Sequence, residues 1–117
     1  PIGFAQVDGT VSTGEARIFS AYAGGSLLQV NISLDTVNTS SDTVVVDLQK
    51  STSGGAYATV LSSTYTMNSS KTARTVYTVA PNSTSFVAGD IFKVVWTVSG
   101  TSAADLLVVV FGDINPS

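Results

Sequence analysis

The chain has no cysteine and no histidine among its 117 residues. The first absence excludes disulfides, thiolate nucleophiles and cysteine-held zinc or iron–sulfur centres. The second removes the commonest general base and the commonest metal ligand. Ser-His-Asp and Cys-His triads are therefore impossible within one chain. Charge is scarce as well, with 5 basic and 8 acidic residues and a formal net charge of −3. Arg17, Lys50, Lys71, Arg74 and Lys93 are scattered along the sequence. Nucleic-acid binding needs cations clustered to displace counterions, so no nucleic-acid partner is expected. The longest apolar run, Leu106–Phe111, falls far short of the roughly 20 residues of a membrane-spanning helix, and no membrane partner is expected. The start, Pro1-Ile2-Gly3-Phe4, lacks the basic region and apolar stretch of a signal peptide, so no leader is expected. A start at Pro fits removal of an initiator Met, and equally a processed fragment.

What remains is a chain in which Ser and Thr exceed a quarter of the residues. Its length fits one domain over 1–117, able to bury roughly two-thirds of its extended surface without a metal or disulfide. Its period is two. Leu28, Val30, Ile32 and Leu34 alternate with Gln29, Asn31, Ser33 and Asp35, the pattern of a strand with one wet face. Over Thr43–Lys50, Val44, Val46 and Leu48 are placed inward. Over Ile91–Val98, Phe92, Val94, Trp96 and Val98 share a face. Glu15–Ala23 puts Ile18, Ser20 and Tyr22 on one side and Arg17, Phe19 and Ala21 on the other. Tyr57–Leu61, Thr64–Met67 and Thr75–Val79 are short and rich in β-branched and aromatic residues, and a further strand is placed around Phe4–Val7. Leu106–Phe111 is apolar on both faces, which predicts a central or covered strand and an interface. Turn signals such as Asp8-Gly9, Gly24-Gly25, Ser53-Gly54-Gly55 and Ala88-Gly89-Asp90 separate these runs. The expectation is an all-β fold: an antiparallel, jelly-roll-like β-sandwich of eight or nine strands.

Candidate chemistry is thin. Only Glu15 and seven Asp are available for a carboxylate pair, and most sit in turn contexts, so no catalytic residue is assigned and no enzyme is expected. For calcium, Asp35, Asp42 and Asp47 flank one loop, and Asp90 and Asp105 are placed where they could approach each other. Calcium wants six to eight oxygens from converging groups, and no EF-hand spacing is present, so no metal and no cofactor are assigned. Asn31, Asn38, Asn68 and Asn82 open Asn-x-Ser/Thr sequons, read as chance matches in a chain so rich in these residues. Trp96 is read as core. Tyr22, Tyr57, Tyr65 and Tyr77 suit either a carbohydrate surface or an interface.

The run Thr43–Ser62 places a strand ending in Lys50 before a Gly/Ser loop and a Val60-Leu61-Ser62 strand start. Val87-Ala88-Gly89-Asp90-Ile91-Phe92-Lys93-Val94 and Ala104–Phe111 follow it. Between about Leu27 and Gly112 this order resembles the β-sandwich and jelly-roll proteins of tailed-bacteriophage virions, of the capsid decoration (cement) type. The resemblance implies a structural protein on the outer capsid surface of the virion. It would bind the major capsid protein non-covalently and self-associate, most plausibly as a homotrimer. The alternative it implies is a carbohydrate- or receptor-binding module of a phage head or tail appendage. The shared residues are fold residues, so none carries a functional role across. Apolar burial and backbone contacts would dominate adhesion, making it metal-independent and only modestly sensitive to salt.

Overall fold

The computed structural model describes residues 1–115. In it, ten strands follow one another: β1 (Gly3–Thr10), β2 (Gly14–Ser20), β3 (Gly25–Thr36), β4 (Thr43–Ser51) and β5 (Tyr57–Thr59). Then come β6 (Tyr65–Met67), β7 (Tyr77–Val79), β8 (Ser85–Phe86), β9 (Ile91–Ser99) and β10 (Ala104–Ile114). The strand beyond the expected eight or nine is β8, two residues long and too short to leave a periodic signal.

The pairings nest. β1 pairs β10, β2 pairs β9, β3 pairs β7 and β8, and β4 pairs β5 and β6, all antiparallel. The chain is thus one long double ribbon whose tip lies between β4 and β5. Rolling that ribbon brings β10 beside β3 and β9 beside β4. Two sheets result, ordered β1-β10-β3-β7 with β8 also on β3, and β2-β9-β4-β5 with β6 also on β4. This is the strand order of a jelly roll.

The core is built by the four central strands. Val30, Ile32 and Leu34 of β3 and Leu106, Val108 and Val110 of β10 point inward from the first sheet. Val44, Val46 and Leu48 of β4 and Phe92, Val94 and Trp96 of β9 meet them from the second. Each such side chain contributes about 1.5–3 kcal/mol on burial. Strict alternation supplies all twelve, which is why these four strands were visible in the pattern.

Two bulges break the alternation. Leu28 does not share the face of Val30: it is 55% exposed, while Leu27 is buried. Phe111 pairs with Gln29 but Gly112 pairs with Leu27, which leaves Leu28 as the extra residue. Gly112 belongs opposite this bulge, because a Cβ there would lie 2.9 Å from the Ser26 carbonyl oxygen. In β2, Arg17 pairs with Lys93 and Phe19 with Phe92, so Ile18 is the extra residue. Arg17 therefore faces solvent, while Phe19 and Ala21 turn inward. Phe19 stacks on Phe92 at 6.2 Å, and Phe86 meets both rings edge-on.

Candidate binding surface

Leu106–Phe111 occupies the middle of its sheet, between β1 and β3. Its inward residues are covered. Of its outward residues, Leu107 is exposed and Val109 and Phe111 are half-buried among the described residues. Phe4 lies directly across from Val109 on β1 and is 59% exposed. The bulge turns Leu28 onto the same face beside Phe111. The fold thus assembles an apolar stripe of Phe4, Leu28, Leu107, Val109 and Phe111 from three strands. Sequence alternation indicated the β10 part. Phe4 and Leu28 joined it only through the strand order and the bulge.

One end of this stripe is acidic. Asp8, Asp35 and Asp105 line a shallow depression of about 360 Å³ with Gln6, Ser33 and Leu107. The backbone explains the placement. Gly9 has a φ of +80°, which a side chain disfavours, at the register shift between Val7 and Thr10. That shift frees the Gly9 N–H, which donates to the Asp105 carboxylate at 2.7 Å. Asp8 in turn accepts from the Gln6 amide at 2.9 Å. Among the described residues, no group of three or more Asp, Glu, His or Cys is arranged to hold a metal ion.

The remaining acids are dispersed. Asp35 and Asp47 lie on different sheets, and Asp42 accepts the Ser102 hydroxyl at 2.7 Å. Asp90 and Asp105 do not approach each other. Asp90 immediately precedes β9 and Asp105 follows its far end, so the nine residues of Ile91–Ser99 separate them. Asp90 is instead a buried latch. Its carboxylate accepts the Val87 N–H at 3.0 Å and the Ser53 N–H at 3.2 Å, with the Lys50 ammonium at 3.9 Å. It ties the β4–β5 loop to the turn before β9.

The aromatic candidates divide. Trp96 is core, 8% exposed, with its indole N–H donating to the Ser12 carbonyl at 2.8 Å. Three tyrosine rings already carry a cation. Lys71 sits 4.9 Å from the rings of both Tyr65 and Tyr77, and Lys93 lies 4.2 Å from the ring of Tyr57. The Thr72 backbone N–H donates to the Tyr77 hydroxyl at 2.8 Å. That hydrogen bond, helped by nearby Lys71, holds the Tyr77 phenol below its ordinary value of 10.0. Tyr22 is exposed beyond the end of β2.

The sequon asparagines also differ. Asn31 accepts from Gln29 and Thr78, Asn68 accepts both the N–H and the hydroxyl of Ser70, and Asn82 is exposed in a loop. Asn38 is 2% exposed, and neither its Oδ1 nor its Nδ2 has a hydrogen-bond partner.

No protein-family model, curated protein or solved structure matches the chain.

Proposed function

We propose that the chain is a non-catalytic structural protein that decorates the outer surface of a bacteriophage capsid. The apolar stripe of Phe4, Leu28 and Leu107, exposed, with Val109 and Phe111, half-buried, carries this reading, since exposed apolar surface marks binding sites on soluble proteins. The resemblance of Thr43–Ser62, Val87–Val94 and Ala104–Phe111 to virion sandwiches supplies the partner, the major capsid protein. A jelly roll alone does not, because this architecture also serves lectins. The carbohydrate-binding alternative needs open aromatic faces; the lysines on Tyr57, Tyr65 and Tyr77 weigh against it at those rings and leave it Tyr22 and Phe4.

The mechanism is mass action. A ligand that binds only the assembled shell stabilises it by RT ln(1 + [L]/Kd) per site. Four strands at about 4.8 Å spacing and eight residues at about 3.3 Å cover on the order of 500 Å² in projection. A standard interface buries roughly 800 Å² of accessible surface per partner. Self-association as a homotrimer would raise the hold by avidity.

The test is to heat capsids with increasing amounts of added chain and follow genome release with a DNA-binding dye. The release temperature should rise with concentration and then saturate. An unchanged release temperature at saturating chain would refute stabilisation.

A further inference from the structure

We infer that the outer face of the β1-β10-β3-β7 sheet docks a protein surface that is apolar at its centre and lined by Lys or Arg at its rim. This rests on the reading that the chain works by binding protein, and it names the chemistry of the partner surface. The observation is a segregation of charge between the sheets. The strands of the β1-β10-β3-β7 sheet, β8 included, hold Asp8, Asp35, Asp105 and Asp113 and not one Lys or Arg. The strands of the other sheet hold Glu15 and Asp47 against Arg17, Lys50 and Lys93. Counting those residues, one sheet carries −4 and the other 3 − 2 = +1.

The carboxylates flank the apolar stripe. Asp8, Asp35 and Asp105 gather beside Leu107, and Asp113 lies two residues beyond Phe111 on the outward side of β10. Among the described residues, no ion pair neutralises these four, since the two ion pairs use Asp90 and Glu15. Arg74, between β6 and β7, donates a guanidinium N–H to the Asp35 backbone carbonyl at 3.2 Å and offsets part of this charge, leaving the rim acidic. An apolar centre with an acidic rim selects a partner of opposite sign, because like charges brought together across an interface are costly.

The same charges disfavour other occupants. Anionic lipid and nucleic acid meet four carboxylates. A second copy offers too little. The same face would oppose acid to acid. On the opposite sheet, Lys93 is engaged by Glu15 and the Tyr57 ring, and Lys50 by Asp90, so among the described residues Arg17 is the one cation of that sheet outside an ion pair, against four carboxylates. Self-association then falls to the strand edges of the sandwich, β1 and β2 on one side and β7 and β5 on the other. Attraction of this kind acts mainly on the rate of encounter. Salt should slow association while the apolar contact keeps dissociation nearly constant.

The experiment selects a ribosome-displayed library of random peptides against the folded chain. Enriched clones are sequenced, synthesised and mapped by amide chemical shifts. The expected clones combine Leu, Phe or Trp with Lys or Arg and shift the amides around Phe4, Leu107 and Phe111. Asp8→Asn with Asp35→Asn should weaken them about threefold to tenfold, the scale of two exposed ion pairs. Leu107→Ser with Phe4→Ser should abolish binding, with circular dichroism confirming the fold. Acidic or neutral clones, shifts on the β2-β9-β4-β5 sheet, or no enrichment would overturn the inference. So would concentration-dependent dimerisation through this face in sedimentation. Basic apolar clones on this face, with no uptake of the chain by capsids, would uphold the inference and remove the capsid reading alone.

Discussion

Gly14 and Trp96 face each other across β2 and β9, and the fit between them can be measured as a coupling energy. A Cβ on Gly14 would lie 3.0 Å from Trp96 Cζ2 and 3.1 Å from Cε2, tighter than ordinary contact. The indole cannot retreat freely, because its N–H is held on the Ser12 carbonyl at 2.8 Å. Gly14→Ala in the native background is therefore an overpacking change, expected to cost about 1–3 kcal/mol. Trp96→Phe removes the crowded half of the ring together with a hydrogen bond worth about 1 kcal/mol. In that background the added methyl group has room. Ala in place of a strand Gly then stabilises by about 0.5–1 kcal/mol. The two changes should thus be coupled by roughly 1.5–4 kcal/mol, the difference between those two effects. Trp96→Ala alone should cost about 3–5 kcal/mol. The assay is urea unfolding of the four proteins in the cycle, with the slope checked for constancy. Far-UV circular dichroism must be the probe, since Trp96 is the only tryptophan. Additivity within about 0.5 kcal/mol would refute the contact.

Three further outcomes follow from single side chains. Asp90→Ala strips the acceptor from the Val87 and Ser53 N–H groups and leaves Lys50 without its carboxylate, so denaturation should register a loss of about 2–4 kcal/mol, and a loss under 1 would contradict the latch. Asn38→Leu removes two buried polar atoms without partners, so stability should hold or rise by about 1 kcal/mol; a clear drop would show that Asn38 holds a buried partner such as a water. Tyr77 should ionise below its ordinary value of 10.0 in an ultraviolet titration, because the Thr72 N–H and Lys71 favour its phenolate. Its folded pKa lies below the unfolded value, so the folded chain binds fewer protons in that window. Stability should therefore rise with pH there, and Tyr77→Phe should remove both effects.

The parts of the fold visible in the sequence are those governed by local alternation. Val44, Val46 and Leu48, and Phe92, Val94 and Trp96, follow the two-residue period without interruption and are buried as that period requires. Alternation also runs unbroken on paper through Leu28 and Ile18, where the chain inserts a bulge residue. A bulge is set by the partner strand and by tertiary fit, which local pattern does not contain. The same limit applies to the candidate surface. Leu107, Val109 and Phe111 announced an apolar face, but Phe4 reaches it from more than a hundred residues away in the chain. The gathering of four carboxylates on one sheet becomes legible only once the strand order is known. The supposed approach of Asp90 to Asp105 failed for the converse reason, because an intervening strand carries them to opposite ends. The lysines over Tyr57, Tyr65 and Tyr77 are likewise products of folding, since no spacing rule places a cation on a ring across strands.

The central claim is that this jelly roll is a stoichiometric part of a virus particle. Its most direct test is quantitative mass spectrometry of virus particles purified by density from cells that express the chain. The chain should copurify at a fixed ratio to the major capsid protein, unchanged when its own expression is varied above saturation. Its absence from purified particles, or a ratio that simply follows expression level, would contradict the account.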